Sequence, residues 1–180
     1  LMAAQTRQLL ADLRAAGVEV VDLFEVFRAV RQSPASATTE PLYLAQDTHW
    51  SPTGVELAAQ ATAEKILAAG WVPRGTAAYE VKPAPVRRLG DLIRMLQVPQ
   101  IEQKFAPESI SCRQVIRRDK RTPYRDDPNA RILVLGDSFL RIYEQDEPRS
   151  AGFLAHLACA LGQPVASIVN DGGASTLVRQ

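Results

Sequence analysis

Hydrophobic and polar positions along the chain repeat with two periods, one helical and one extended. From Met2 to Ala16, Leu9, Leu10 and Leu13 stand among Arg7, Gln8, Asp12 and Arg14, which predicts a helix closed by Gly17. Val18 to Leu23 is a short β-branched run that predicts a strand. Phe24 to Val30 predicts one or two further helical turns, and Ser33 to Thr39 a loop. Ser51-Pro52-Thr53-Gly54 opens the clearest helix, which runs to about Ala69 and ends at Gly70. Ser51 suits the N-cap and Pro52 the first helical position, where a missing N–H costs nothing.

Trp71 to Asn129 is less regular and holds much of the proline and many of the arginines. A short helix is expected near Leu89–Leu96 and a strand near Ile110–Ile116. We read residues of about 71–129 as an insertion within one domain spanning 1–180. Regularity returns at Arg131 to Leu135, apolar enough for a central parallel strand. A turn at Gly136-Asp137-Ser138, an amphipathic helix from Arg149 to Leu161 ended by Gly162, and a strand from Pro164 to Val169 follow. Asn170-Asp171-Gly172-Gly173 then leads into a new helix around Ser175 to Gln180. Alternating strands and helices imply an α/β layered fold with a mainly parallel sheet.

Composition narrows the function. Among 180 residues, 46% are hydrophobic and 23% charged, enough to bury a core and stay soluble. Lys and Arg number 21 against 20 Asp and Glu, a formal charge of +1, which argues against a nucleic-acid binder working by bulk charge. No apolar run is long enough to span a bilayer. Two cysteines, Cys112 and Cys159, exclude a disulfide-stapled miniature fold and a four-thiolate zinc site. They follow no spacing motif and are expected to be free thiols. The chain opens at Leu1 without an initiator Met and closes inside an expected helix, so it reads as a piece of a longer protein.

Two segments carry candidate chemistry. Leu135-Gly136-Asp137-Ser138-Phe139 lies at the carboxyl end of the most apolar strand, the edge where open α/β sheets collect catalytic groups. A serine there projects its hydroxyl above the sheet, and amides of a following helix would face an oxyanion. The plainer alternative is that Asp137 and Ser138 cap the next helix. Leu140 stands where the nucleophile elbow of α/β-hydrolases requires glycine, so that motif does not apply. The second segment is Gln46-Asp47-Thr48-His49-Trp50. Residues two apart in an extended segment share a side, so Asp47 is placed to fix the tautomer of His49 and leave its other nitrogen as a base. The alternative is an Asp-x-His that packs before a helix, with Trp50 as a core anchor. A helix N-terminus nearby disfavours imidazolium by roughly 0.3–1 kcal/mol, which Asp47 would counter. His156, the only other histidine, reads as an ordinary helix residue. A metal on Asp47, His49 and Asp137 lacks a second histidine and ranks below a Ser138–His49–Asp47 triad.

Asp47-Thr48-His49-Trp50 followed by Gly54, with a later Gly136-Asp137-Ser138-Phe139, resembles the SGNH-like alginate O-acetyltransferase group, the AlgJ/AlgX type. In ordinary SGNH hydrolases the serine block precedes an Asp-x-x-His block. The reversed order and tighter Asp-x-His spacing here favour the acetyltransferase branch. The resemblance implies a flavodoxin-like three-layer fold, periplasmic residence, and acetyl transfer to hydroxyls of an exported polysaccharide without a cofactor. It implies Asp47, His49 and Ser138 as triad, and a donor supplied through a membrane-bound O-acyltransferase. For the oxyanion, the Ser138 amide is joined by Asn170 or an amide near Gly172-Gly173. The hydrolases' Gly-x-Asn-Asp block appears here as Val169-Asn170-Asp171 without its glycine, and a simple strand-to-helix turn is the competing reading. Arg141 and Tyr143 are candidate substrate contacts. Arg141, Arg149, Arg87-Arg88 and Arg117-Arg118 together suggest a groove for an anionic polymer, or merely a solvated surface. An acetylesterase, or a non-catalytic polysaccharide-binding subunit of an export complex, are the rival functions.

Overall fold

The computed structural model describes residues 2–33 and 40–172. Its internal contacts define two compact units, 1–39 and 40–180. The first holds helices α1 (Ala4–Ala15) and α2 (Leu23–Gln32). Gly17 takes φ +79° after α1, a left-handed conformation glycine adopts without penalty. Asp22 caps α2 by accepting from the Glu25 amide at 3.3 Å and pairs with Arg14 at 3.5 Å. Val18 to Asp22 forms no strand, contrary to expectation. A strand exists only through a ladder, and no described segment pairs with this one. Most of the expected loop and the expected terminal helix, residues 34–39 and 173–180, lie outside the described residues.

The second unit runs α3 (Pro52–Ala68), β1 (Tyr79–Pro83), β2 (Val86–Arg88), α4 (Asp91–Arg94), α5 (Pro99–Glu102), β3 (Glu108–Ile110), β4 (Arg113–Arg117), β5 (Thr122–Pro123), β6 (Leu133–Gly136), α6 (Ser138–Arg141), α7 (Phe153–Leu161) and β7 (Ala166–Val169). Its core is the packing of α3 on α7. Val55, Ala58, Ala59, Ala63 and Ile66 recur at helical spacing, and their small side chains let α7 bring in Leu154, Leu157, Ala158 and Leu161. Ser51 caps α3 as expected, accepting from the Gly54 amide at 3.2 Å. α7 begins at Phe153 rather than Arg149 because Arg149 and Ser150 take φ of 68° and 51°, which no α-helix accommodates. Gly162 ends it in the left-handed conformation.

The expected mainly parallel sheet is not what the described residues form. β6 and β7 pair in parallel, Leu133 with Ala166 through Gly136 with Val169. The other two sheets, β1-β4-β5 and β2-β3, are antiparallel and occupy the irregular stretch before residue 130. The strand expected at Ile110–Ile116 is split between them: β3 ends at Ile110, and β4 starts at Arg113 in the other sheet. The helix expected near Leu89–Leu96 shortens to the single turn α4. Cys112 and Cys159 are free thiols, and burial pushes Cys112 up to about 12. No helix among the described residues is long and apolar enough to cross a membrane.

Before α3, the chain doubles back through a Tyr43–Trp50 bridge, with Ser51 donating to the Leu42 carbonyl at 2.9 Å. A Cβ at Gly54 would run into that same carbonyl oxygen. Gly54→Ala is therefore expected to lower unfolding free energy by about 1–3 kcal/mol, measured by denaturant titration. An unchanged midpoint would show that the turn yields without cost.

Candidate active site

The doubled-back segment presents Asp47, Thr48 and His49 at its turn. The carboxylate of Asp47 accepts twice from His49 through Oδ1, from the backbone amide at 3.2 Å and from ring Nδ1 at 2.6 Å. The first contact closes an Asx turn, so a local bend, and not an extended strand, brings the two side chains together. Nδ1 thus carries the proton when the ring is neutral, and Nε2 is left with its lone pair. That nitrogen lies 2.9 Å from Ser138 Oγ. Asp47, His49 and Ser138 therefore stand in one hydrogen-bonded line, with His49 and Ser138 89 residues apart in sequence.

Ser138 comes to this place from the other side. β6 ends at Gly136, and Asp137 caps the single turn α6 by accepting from the Phe139 amide at 3.0 Å. The cap falls to Asp137, and the Ser138 hydroxyl is left for His49. Phe139 packs against the imidazole: its ring centroid is 4.9 Å from that of His49 and 5.4 Å from that of Trp50. Trp50 stacks in turn on Phe153 at 5.8 Å, which ties the turn to the start of α7.

Asp47 has no solvent-exposed side-chain surface. Burial alone would raise its pKa. Hydrogen bonds from the His49 ring and from the Asp91 and His49 amides, with the Arg88 charge, outweigh burial and hold it at about 2. Arg88 Nε donates to Asp47 Oδ2 at 3.0 Å and the Asp91 amide donates to the same oxygen at 3.1 Å. Asp91 returns the contact, accepting from the Thr48 amide at 2.7 Å and from its hydroxyl at 2.5 Å. Its Oδ2 also lies 3.4 Å from His49 Nδ1. The close approach requires Gly90, since a Cβ there would meet the Gln46 carbonyl.

Asp47, His49 and Asp91, not Asp137, form the cluster with metal-ligand proximity, their ligand atoms within 4.8 Å of one another. The carboxylate oxygens already accept N–H and O–H donors, and the cation that Asp47 holds is the Arg88 guanidinium. Arg88 and Asp91 escaped the sequence reading because both come from the stretch taken as an insertion. The Arg87-Arg88 pair was visible there, but as a candidate polymer contact.

The other expected residues fall differently. Asn170 follows β7 and donates its backbone amide to the Gly136 carbonyl at 3.0 Å, so it shares the sheet edge of Ser138; its side chain and Gly172 are exposed. Gly173 lies outside the described residues. Arg141 donates Nε to Asp171 at 2.8 Å and Nη1 to Asp146 at 2.5 Å, while keeping partial exposure. Tyr143 is fully buried, and its hydroxyl donates to the Trp50 carbonyl at 3.3 Å. It has no surface left for a sugar and works as a brace behind the turn. His156 is buried too; burial lowers it to about 4, and its Nε2 donates to the Arg113 carbonyl at 3.0 Å.

The depressed Asp47 pKa links the site to stability. Above the ordinary value of 3.8 the folded and unfolded carboxyls are both ionised and the full contribution is present. As pH falls from about 4 to about 2, the unfolded state takes the proton first and that contribution, about 2 kcal/mol, is lost. Asp47→Asn is expected to flatten this part of the stability-against-pH curve, read from denaturant midpoints. The same slope in the variant would show that Asp47 is not its source.

The family model described as ALGX, SGNH hydrolase-like domain, acetyltransferase AlgX, matches residues 1–178. Among solved structures, the O-acetyltransferase domain of Pseudomonas putida AlgJ is similar, with a TM-score of 0.67 and 26% identity over 93% of this chain and 53% of that one. Pseudomonas aeruginosa AlgX shares the fold at a TM-score of 0.56 and 18% identity, over 91% of this chain and 36% of that one. The chain thus spans about half the length of the first and about a third of the second. No curated protein sequence matches it. The family match leaves only the last two residues outside it, and the chain belongs to this SGNH hydrolase-like AlgX acetyltransferase family.

Proposed function

We propose that this domain is an O-acetyltransferase that moves acetyl groups onto hydroxyls of an exported, alginate-like polysaccharide through an acetyl-Ser138 intermediate. The observation that carries the reading is the 2.9 Å contact between His49 Nε2 and Ser138 Oγ, backed by the 2.6 Å contact from Asp47 to Nδ1. Family membership and the likeness to the AlgJ O-acetyltransferase domain support the reaction class.

The steps follow from the positions of the protons. His49 Nε2 takes the Ser138 proton as Oγ attacks the acetyl carbonyl, and Asp47 stabilises the imidazolium that forms. The oxyanion falls to the Ser138 amide, since the Phe139 amide is committed to the Asp137 side chain and the Leu140 amide to the Asp137 carbonyl. Further donors fall in this reading to the side chain of Asn170, whose backbone amide is committed to the Gly136 carbonyl, and to Gly172. One such donor is typically worth about 3 kcal/mol to the transition state. The tetrahedral adduct collapses, and His49 protonates the departing donor group. A sugar hydroxyl then gives its proton to His49, attacks acetyl-Ser138 and leaves as the acetyl ester, with Ser138 reprotonated. Arg141, at the far end of α6, is the partly exposed cation nearest in sequence to the nucleophile and the candidate acceptor contact. A donor relayed by a membrane-bound O-acyltransferase and residence in the periplasm complete the reading.

Ser138→Ala is expected to remove acetyl transfer to an oligosaccharide by at least about 10³-fold while the circular dichroism spectrum and melting temperature stay unchanged. Retained transfer in the folded variant would sink the nucleophile assignment. Acetate released to water, with none on the sugar, would instead make the wild-type protein an esterase.

A further inference from the structure

The last residue of β2 points its guanidinium at the buried carboxylate of the site. We propose that Arg88 is a positioning residue for the acyl-transfer reaction, braced by Asp146 so that Asp47, His49 and Ser138 stay in line. The inference rests on the triad reading above.

Three observations carry it. Asp47 is wholly shielded from solvent, and an ionised carboxylate there needs compensation that a neutral histidine does not provide. Arg88 Nε supplies it on Oδ2, the oxygen that faces away from the His49 ring, at 3.0 Å. The guanidinium is also gripped from behind, where Nη1 donates to Asp146 Oδ2 at 3.0 Å. Asp146 Oδ1 then accepts from Arg141 Nη1 at 2.5 Å, and Arg141 is the last residue of α6, the turn that begins at Ser138.

The contacts therefore close a ring: Ser138 to His49, Asp47, Arg88, Asp146, Arg141, and back along α6 to Ser138. Nucleophile and base are held to one another twice, once directly and once through the ion pairs behind them. A planar, forked cation suits this place, because it bonds two carboxylates in fixed directions at once. Asp171 holds Arg141 from outside at 2.8 Å, which ties the loop after β7 to the same ring.

The ring has an electrostatic consequence. His49 Nδ1 faces two carboxylates, Asp47 at 2.6 Å from its own segment and Asp91 at 3.4 Å from α4. Arg88 from β2 balances their charge through Asp47, with its own charge partly balanced by Asp146, which Arg141 from α6 shares. Thr48 adds neutral donors to Asp91. Removing Arg88 takes the cation from the buried Asp47 carboxylate and opens the ring behind nucleophile and base.

The test measures acetyl transfer from an activated acetyl ester by Arg88→Gln, Arg88→Lys and Asp146→Asn, with Ser138→Ala alongside. For Arg88→Gln, kcat is expected to fall about 10- to 100-fold with KM little changed. Arg88→Lys keeps the charge but not the fork, so it should recover only part of kcat. Asp146→Asn should give a smaller loss in the same direction. Wild-type kcat in folded Arg88→Gln would overturn the proposal, as would a loss that only tracks the fraction folded. If Arg88→Gln does not fold, full kcat in Arg88→Lys overturns it, and partial kcat with KM unchanged supports it. Transfer retained by Ser138→Ala would refute the triad reading itself, whatever the Arg88 variants do.

Discussion

The structure around the site depends on one buried charge. The carboxylate of Asp47 receives four donors: the ring and amide of His49, the amide of Asp91 and the guanidinium of Arg88. Those donors come from three places in the chain, so satisfying the charge also assembles the site. The turn at 45–48, the end of β2 and the start of α4 are drawn together because an unpaired carboxylate in this place would cost several kcal/mol. The same requirement explains Gly90, the only residue type that lets two backbones approach closely enough for the Asp91 amide to reach its acceptor.

Packing supplies what hydrogen bonds alone do not. His49 must meet a hydroxyl delivered by a different element, and the match rests on apolar contact. Phe139 follows Ser138 and lies against both His49 and Trp50, while Trp50 stacks on Phe153 at the start of α7. The aromatic group joins the His49 turn, the Ser138 turn and the α3–α7 core into one block. A small displacement of any member would open the 2.9 Å contact between His49 and Ser138. Tyr143 backs the same block through its hydrogen bond to the Trp50 carbonyl, which accounts for a wholly buried tyrosine so near Ser138 in sequence.

Local chemistry was the legible part of the sequence. Ser51-Pro52, Gly17 and Gly162 mark helix ends through caps and left-handed glycine, and the helices they bound are present. The Asp-x-His pair and the serine after β6 were readable because short spacing and a strand end limit where their side chains point. Long-range partners were not readable. Arg88 and Asp91 meet Asp47 from 41 and 44 residues away, in a stretch whose sheets are short and antiparallel. No local period marks such contacts, and an arginine pair in a proline-rich segment looks like solvated surface. Tyr143 failed for another reason: a ring with a polar tip suits a binding surface and a braced core equally well. The Val18–Leu23 pattern predicted a strand that does not form, because sheet formation needs a partner that a β-branched run alone does not reveal.

The central claim is that Ser138 becomes covalently acetylated with His49 as its base. The most direct measurement is peptide-mapped mass spectrometry of the protein quenched soon after mixing with an activated acetyl ester. The account predicts an acetyl increment on the peptide holding Ser138, at the serine itself, which disappears when an oligosaccharide acceptor is added. Steady acetyl turnover with no adduct on Ser138, or with the adduct on another residue, would contradict it.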